Sequence, residues 1–274
     1  MEGQKALKPS GIITLLSDFG LGSSYVGALY GVILTIGPNL RVVDLSHSIP
    51  PQDIAQGGIL LYETAPLFPP GTVHIAVVDP GVGSDREILL AQIGNQYYIA
   101  PNNGLLARLI DNRACESDDF RCINLTNRQY WRSSISHTFH GRDIMAPVAA
   151  HLSIGVPFED FGQPFSDLCP IKISKPTVSP KQILGIIERI DSFGNLITNI
   201  QSHWFEGRPT DERVHISGQN FHTWGIFDSY AFQPSGALIA TVGSNGYLEI
   251  AVVNDSAAKR FRPAVGDPIS LNWD

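Results

Sequence analysis

Short apolar runs alternate with stretches of helical spacing through the first part of the chain. Ile12 to Leu16 has the length and composition of a strand and breaks at Ser17-Asp18-Phe19-Gly20. Tyr25 to Ile36 then places Val26, Leu29, Tyr30 and Ile33 on one helical face, and Gly37-Pro38-Asn39 stops it. Arg41 to Leu45 predicts a second strand and Ile54 to Phe68 a second helix, closed by Pro69-Pro70-Gly71. Val73 to Val78 predicts a third strand, ending in the turn Asp79-Pro80-Gly81-Val82-Gly83. Strand, helix, strand in this order implies a largely parallel sheet covered on both faces. Ile88 to Ile93 and Gln96 to Ala100 flank Gly94-Asn95 as a hairpin; helices follow over Leu105 to Ile110 and Ile144 to Leu152. In the last of these Met145, Val148 and Ala149 point inward.

From Phe165 to Pro180 the periodicity lapses and Pro164, Pro170, Pro176 and Pro180 punctuate the chain. Beyond it lie short β-rich runs: Ile183 to Ile190, Val214 to Ile216, Ala237 to Val242, Tyr247 to Val253 and Pro268 to Leu271. Asp191-Ser192-Phe193-Gly194-Asn195 and Ser244-Asn245-Gly246 are turn signals between them, so a small antiparallel barrel or sandwich is expected. The expected organisation is an α/β domain over 11–164, a linker over 165–180 and a β domain over 181–274. There are no internal repeats.

Composition narrows the possibilities. Hydrophobic residues make up 43% and charged residues 16%, enough apolar mass for a substantial core and too little charge for disorder. A net charge of −7 without a basic run argues against a sequence-independent grip on nucleic acid. Cys115, Cys122 and Cys169 are odd in number and lack CxxC spacing, so buried reduced thiols are expected rather than disulfides or zinc. Met1 to Ser10 lacks the apolar stretch of a signal peptide, and no apolar run is long enough for a bilayer. A soluble protein of the reducing cytoplasm is the expectation.

In open α/β sheets ligands gather beyond the carboxyl ends of the strands. Two loops expected there begin with aspartate, Asp18 and Asp79, although a turn or helix cap is what a lone aspartate usually serves. Gly20, Gly22 and Gly27 match a dinucleotide fingerprint too loosely to support nicotinamide binding. His140 lies in Thr138-Phe139-His140-Gly141-Arg142-Asp143, just before a helix, where the adjacent glycine allows close approach. His47, His74, His137 and His151 show no metal-ligand spacing to one another or to His140, so no metal site is proposed. Brought together, Asp79, Arg86 and His140 could handle a proton, the arginine keeping the carboxylate ionised and the histidine exchanging protons near neutrality. Taken singly, they read as a turn aspartate, a surface arginine and a loop histidine.

The strings LLSDFG, VVDLSHSIPPQDI, FPPGTVHIAVVDPGVGSDR, YIAPNNGLL and TFHGRD resemble the N-terminal domain of the adenosine-forming S-adenosylmethionine hydrolases. These are also called SAM hydroxide adenosyltransferases and are relatives of the fluorinases and chlorinases. IDSFGNLITNI and GSNGYLEIAV resemble the C-terminal domain, and the likeness runs in order from about Ile12 to Asp274. It implies an α/β N-terminal domain, a C-terminal β-barrel and a homotrimer with each site between neighbouring subunits. It implies hydrolysis of S-adenosyl-L-methionine to adenosine and L-methionine, with no cofactor or metal.

The resemblance marks Asp79, Arg86 and His140 as the catalytic set. Halogenases of the family carry tyrosine at the positions of Asp79 and His140; the fluorinase adds a serine at the position of Gly141 and a loop insertion after the Arg86 region. By the same resemblance Asp18 takes the ribose hydroxyls, Asp191 the methionine ammonium and Ser244 its carboxylate, while Phe193, Asn195 and Tyr230 attend the adenine. Ser23 and Asn245 depart from acidic and arginine residues found elsewhere in the family. Two other readings stand beside hydrolysis. One is a halide-dependent adenosyl transferase, disfavoured by a carboxylate at residue 79 that repels an anion. The other is a non-catalytic adenosyl-ligand binding protein.

Overall fold

A computed structural model describes residues 7–113, 120–170 and 173–273 of the 274. The chain forms two compact units, Met1–Ile171 and Lys172–Asp274. The first is built on a seven-stranded sheet. Its strands are β1 (Ile12–Ser17), β2 (Arg41–Ser46), β3 (Val73–Val77), β4 (Ile88–Ile93), β5 (Gln96–Pro101), β6 (Phe120–Leu125) and β7 (Gly162–Pro164). They lie in the order β2-β1-β3-β5-β4-β6-β7. The β1–β2, β1–β3 and β3–β5 pairs are parallel, while β4 is antiparallel to both β5 and β6, and β7 to β6. All strands but β4 and β7 therefore point the same way, which makes the sheet mostly parallel.

The helices are α1 (Ser24–Ile36), α2 (Ile54–Thr64), α3 (Ala107–Arg113) and α4 (Ala146–Ser153). Leu29 and Ile33 of α1 and the apolar residues of α4 share a core with Ile13, Val73, Ile75 and Ile99 of the sheet. On the opposite face Leu61 of α2 and Leu109 of α3 pack with Leu16, Ala76, Tyr98 and Ala100. Both faces of β3 are thus covered, and every residue of this central strand is buried. Two helix boundaries differ from the pattern. The helix expected to reach Phe68 ends at Thr64 and continues as a 3-10 turn over Ala65–Leu67, where Pro66 removes a backbone donor. The helix expected from Ile144 is preceded by a π-helical turn, Gly141–Met145.

The second unit is an eight-stranded antiparallel sheet. Its strands are β8 (Thr177–Val178), β9 (Gln182–Ile190), β10 (Leu196–Gln201), β11 (Val214–Ser217), β12 (His222–Trp224), β13 (Leu238–Val242), β14 (Tyr247–Val252) and β15 (Pro268–Trp273). One short helix, α5 (Ala257–Phe261), accompanies them. The order is β12-β11-β15-β9-β10-β14-β13, with β8 against β9. Its two ends meet: Thr223 of β12 donates through its hydroxyl to Leu238 O of β13 at 3.2 Å. The sheet is therefore barrel-like, around Ile183, Ile200, Ile216, Leu248 and Leu271. The periodicity omits β10, whose first five residues are all buried but whose apolar run is interrupted by Thr198 and Asn199.

The cysteines correct one expectation. Cys122 is buried and free, its thiol pushed up to about 11 by burial, but Cys169 is exposed. Cys115 lies outside the described residues. Among the described residues no helix is long and apolar enough to cross a membrane.

His74 is wholly buried on β3, its Nδ1 2.7 Å from Thr14 Oγ1 and its ring stacked on Tyr98. Burial pushes its pKa from 6.5 down to about 3. Below pH 6.5 the unfolded chain takes a proton that the folded chain refuses, so stability falls as pH drops from 6.5 toward 3. The slope approaches about 1.4 kcal/mol per pH unit. Denaturant unfolding at pH 7 and pH 5 should show the native chain losing roughly 2 kcal/mol more than His74→Gln, and equal losses would remove His74 as the cause.

Candidate active site

Three of the residues singled out in the sequence meet at the carboxyl end of β3. Asp79 follows that strand, Arg86 sits just before β4, and His140 leads into the π-helical turn. Arg86 Nε donates to Asp79 Oδ1 at 2.6 Å and Arg86 Nη2 donates to Asp79 Oδ2, a two-pronged ion pair. The pair is nearly dry, with side-chain exposures of 9% for Arg86 and 5% for Asp79. Arg86 Nη1 and Nη2 lie 3.2 and 3.3 Å from His140 Nδ1. A guanidinium offers only donors, so Nδ1 is the acceptor here and the neutral ring carries its proton on Nε2. Burial, and then the Arg86 charge, push the His140 pKa below 6.5, while Asp79 and Asp143 work against them.

Backbone geometry explains why these three side chains converge. Asn103, in the Pro101-Asn102-Asn103-Gly104 motif, donates from Nδ2 to Val78 O at 2.8 Å and so fixes the residue before Asp79. Asn102 donates to Glu87 Oε2 at 3.1 Å and steadies the residue after Arg86. Gly83 has φ +84°, and a Cβ there would stand 2.2 Å from His137 O, so the β3–β4 loop seats directly on the backbone leading to His140. A Cβ on Gly141 would meet Val77 Cγ1 at 3.3 Å, which lets the turn after His140 lie against the end of β3.

Asp18 lies at the carboxyl end of β1, in the same unit. Its Oδ2 accepts from Gln52 N at 2.8 Å. Ser17 Oγ is 2.7 Å from His47 Nδ1, His47 Nε2 is 3.0 Å from Asp44 Oδ1, and Gly20 N donates to His47 O, so the loop is held at several points. The Phe19 ring packs edge-on against Phe139 at 5.8 Å, and Tyr25 packs on both. The neighbour of Asp18 thereby touches the neighbour of His140. Ser23 caps α1, its hydroxyl accepting from Tyr25 N.

Asp191, Phe193, Asn195, Tyr230 and Ser244 all line one cavity of about 800 Å³ in the second unit. Asp191 Oδ1 accepts from Phe193 N and Asn195 N at 2.9 and 2.8 Å, and its Oδ2 from Asn195 Nδ2 at 3.1 Å. Gly194, at φ +85°, leaves room for Ser256 Oγ only 2.0 Å from where a Cβ would sit. Phe193 is 79% exposed, its ring free to meet a ligand.

Three contributors carried no role in the sequence reading. Asn103 stands in YIAPNNGLL and Asp143 in TFHGRD, yet nothing in their spacing distinguishes a brace from a turn residue. Glu249 is buried in the second unit's cavity, accepts from the Tyr230 hydroxyl, and has its carboxyl pushed up by burial and by Asp191. The Tyr230 hydroxyl is pushed up by burial and by Glu249. The strand pattern could mark Glu249 only as an acidic residue among apolar ones. Among the described residues no group of three or more His, Cys, Asp or Glu is placed to hold a metal ion.

Known proteins are similar to this chain over nearly its whole length. A chain from Salinispora tropica named (R)-S-adenosyl-L-methionine hydrolase is 33% identical over 97% of this chain and 99% of its own. One of the same name from Thermus thermophilus is 36% identical over 94% and 98%. The crystal structure of an uncharacterized conserved protein from Thermotoga maritima superposes with a TM-score of 0.89 at 32% identity, covering 95% of this chain and 99% of that one. Residues 13–162 match the model of the SAM hydroxide adenosyltransferase N-terminal domain. Residues 185–270 match that of the C-terminal domain, and the chain belongs to the SAM hydroxide adenosyltransferase family.

Proposed function

We propose that this chain splits S-adenosyl-L-methionine with water, giving adenosine and L-methionine. The observation that carries the reading is the hydrogen-bonded cluster of Asp79, Arg86 and His140 at the end of β3. Its membership of the family and its relatives named as hydrolases support it.

In this reaction a water oxygen forms a bond to the ribose C5′ as the C5′–S bond breaks, and the electron pair stays on sulfur. The sulfonium departs as a neutral thioether, so the leaving group needs no acid. What the reaction needs is a water held in line with C5′ and relieved of a proton. Of the five N–H donors on a guanidinium, two in Arg86 point at Asp79 and two at His140 Nδ1, which leaves one on Nη1 for the water. Arg86 orients and polarises that water, while Asp79 and His140 receive or relay its proton, His140 by turning Nδ1 from the guanidinium to the water. Positioning alone can contribute ~7–11 kcal/mol in the best cases.

Asp18 takes the ribose hydroxyls, Asp191 the ammonium and Ser244 the carboxylate, with Phe193, Asn195 and Tyr230 about the base and Gly141 beside the reacting centre. The proposal extends to a cytoplasmic homotrimer with its sites between subunits. It requires no resident cofactor or metal. The carboxylate of Asp79 disfavours a halide in place of water.

Incubation with S-adenosyl-L-methionine in ¹⁸O-water should place label in the 5′ oxygen of adenosine. Intact substrate after long incubation with folded protein would sink the proposal, and 5′-halo-adenosine formed in added chloride or fluoride would replace it. Asp79→Ala should lower kcat by about 10²–10⁴-fold with a much smaller change in KM. A rise in KM alone would remove Asp79 from nucleophile activation. The pH profile gives a separate check. A proton on His140 Nδ1 would face the guanidinium donors, so kcat/KM should be flat near neutrality and fall on an acid limb whose midpoint lies below 6.5. A midpoint above 6.5 would count against neutral His140 as the working form.

A further inference from the structure

Asp143 is wholly buried and lies in the π-helical turn Gly141–Met145, three residues beyond His140. Four donors converge on its carboxylate. Oδ1 accepts from Arg132 Nη1 at 2.8 Å and Arg142 Nε at 2.7 Å; Oδ2 accepts from Ser136 N at 2.8 Å and Arg142 Nη2 at 2.9 Å. Its backbone is engaged as well, Asp143 N donating to Phe139 O at 3.1 Å and Arg132 N donating to Asp143 O at 2.9 Å. Burial alone would raise its carboxyl pKa, yet Arg142, Ser136 N and Arg132 together hold it below the usual value.

These contacts fasten both ends of the loop between Arg132 and Arg142. Within that loop lies His137, whose carbonyl is the surface on which Gly83 rests. Arg142 also stacks over Phe139, 4.9 Å from the ring centroid. A π turn is rare because it spoils helical hydrogen bonding, and it persists where surrounding contacts determine it. His140 is the residue immediately before this one.

We propose that Asp143 is the positioning residue for His140, its carboxylate locking the π-helical turn so that Nδ1 is presented to the Arg86 guanidinium. The inference rests on the reading of His140 as part of the water-activating group. The charged and titratable groups around His140 are Arg86 and Asp79 from the β3–β4 loop, His137 from its own loop, and Asp143, which carries Arg132 and Arg142. Asp143 is thus a negative charge opposing the depression of the His140 pKa by burial and Arg86. Neutralising it leaves two arginines uncompensated and favours the neutral ring further. Removing Arg132 instead exposes His140 to more of the Asp143 charge and favours the protonated ring.

The test uses the full chain as Asp143→Asn and Arg132→Gln, with folding checked by thermal melts, His140 titrated by NMR, and hydrolysis of S-adenosyl-L-methionine followed. Asp143→Asn should lower kcat about 10²-fold with little change in KM, since small misplacements carry such penalties. Arg132→Gln should lower kcat less. The His140 titration should move to lower pH in Asp143→Asn and to higher pH in Arg132→Gln. Folded variants with native kcat, or with a His140 titration that does not move, would overturn the inference; a loss of thermal stability alone would make Asp143 structural. If Asp143→Asn does not fold, Arg132→Gln decides by the same two measurements. Should the native chain leave S-adenosyl-L-methionine intact, the hydrolase reading fails, and the opposed NMR shifts still decide whether Asp143 governs His140.

Discussion

A carboxylate and a guanidinium taken out of water at the end of β3 set the terms for much of the first unit. Removing ions of this size from water costs several kcal/mol each, and the mutual attraction offsets that only when geometry and remaining hydrogen bonds are good. Asp79 and Arg86 meet this condition with two parallel contacts and exposures of 5% and 9%. The surrounding structure supplies the precision. Asn103 clamps Val78, Asn102 clamps Glu87, and Gly83 abuts His137 O where any side chain would collide. Such a pair is weak evidence for stability and better evidence for a fixed arrangement of charge.

The parallel sheet makes that arrangement possible. β1 and β3 run side by side in the same direction, so the loops that follow them open at one edge and bring Asp18 and Asp79 to the same end of the sheet. The aromatic contact of Phe19 with Phe139 ties the first of those loops to the segment bearing His140. Burial of β3 on both faces anchors the strand from which the loop bearing Asp79 and Arg86 springs, and leaves that loop to be braced.

Most of this frame was legible in the sequence. The helical spacing of Leu29 and Ile33, the apolar run of β3 and the turn glycines mark elements whose faces are buried as the pattern implies. β10 was not legible, because the buried polar residues Thr198 and Asn199 interrupt its apolar run. The π-helical turn was not either, since propensity says nothing about the Asp143 contacts that hold it. At the site, the identities of Asp79, Arg86 and His140 were readable through resemblance, while their contact was not, because it depends on glycines making room for a backbone 54 residues away, as at Gly83 and His137.

Two further acidic residues show how differently a carboxylate can be held. Asp79 is neutralised by a full cation. Asp191 is held by two backbone N–H groups and one amide of its own turn, which stabilise its charge without cancelling it. Glu249 accepts from the Tyr230 phenol, and burial together with Asp191 raises its carboxyl pKa. Asp191, Asp228 and Asp255 face a single lysine, Lys259, around the second unit's cavity, which gives it an acidic excess, whereas the Asp79–Arg86 pair presents a dipole of nearly zero net charge. For the proposed substrate these suit different tasks: a field that attracts a cationic ligand, and an oriented donor for water beside a sulfonium whose charge is cancelled as the C5′–S bond breaks.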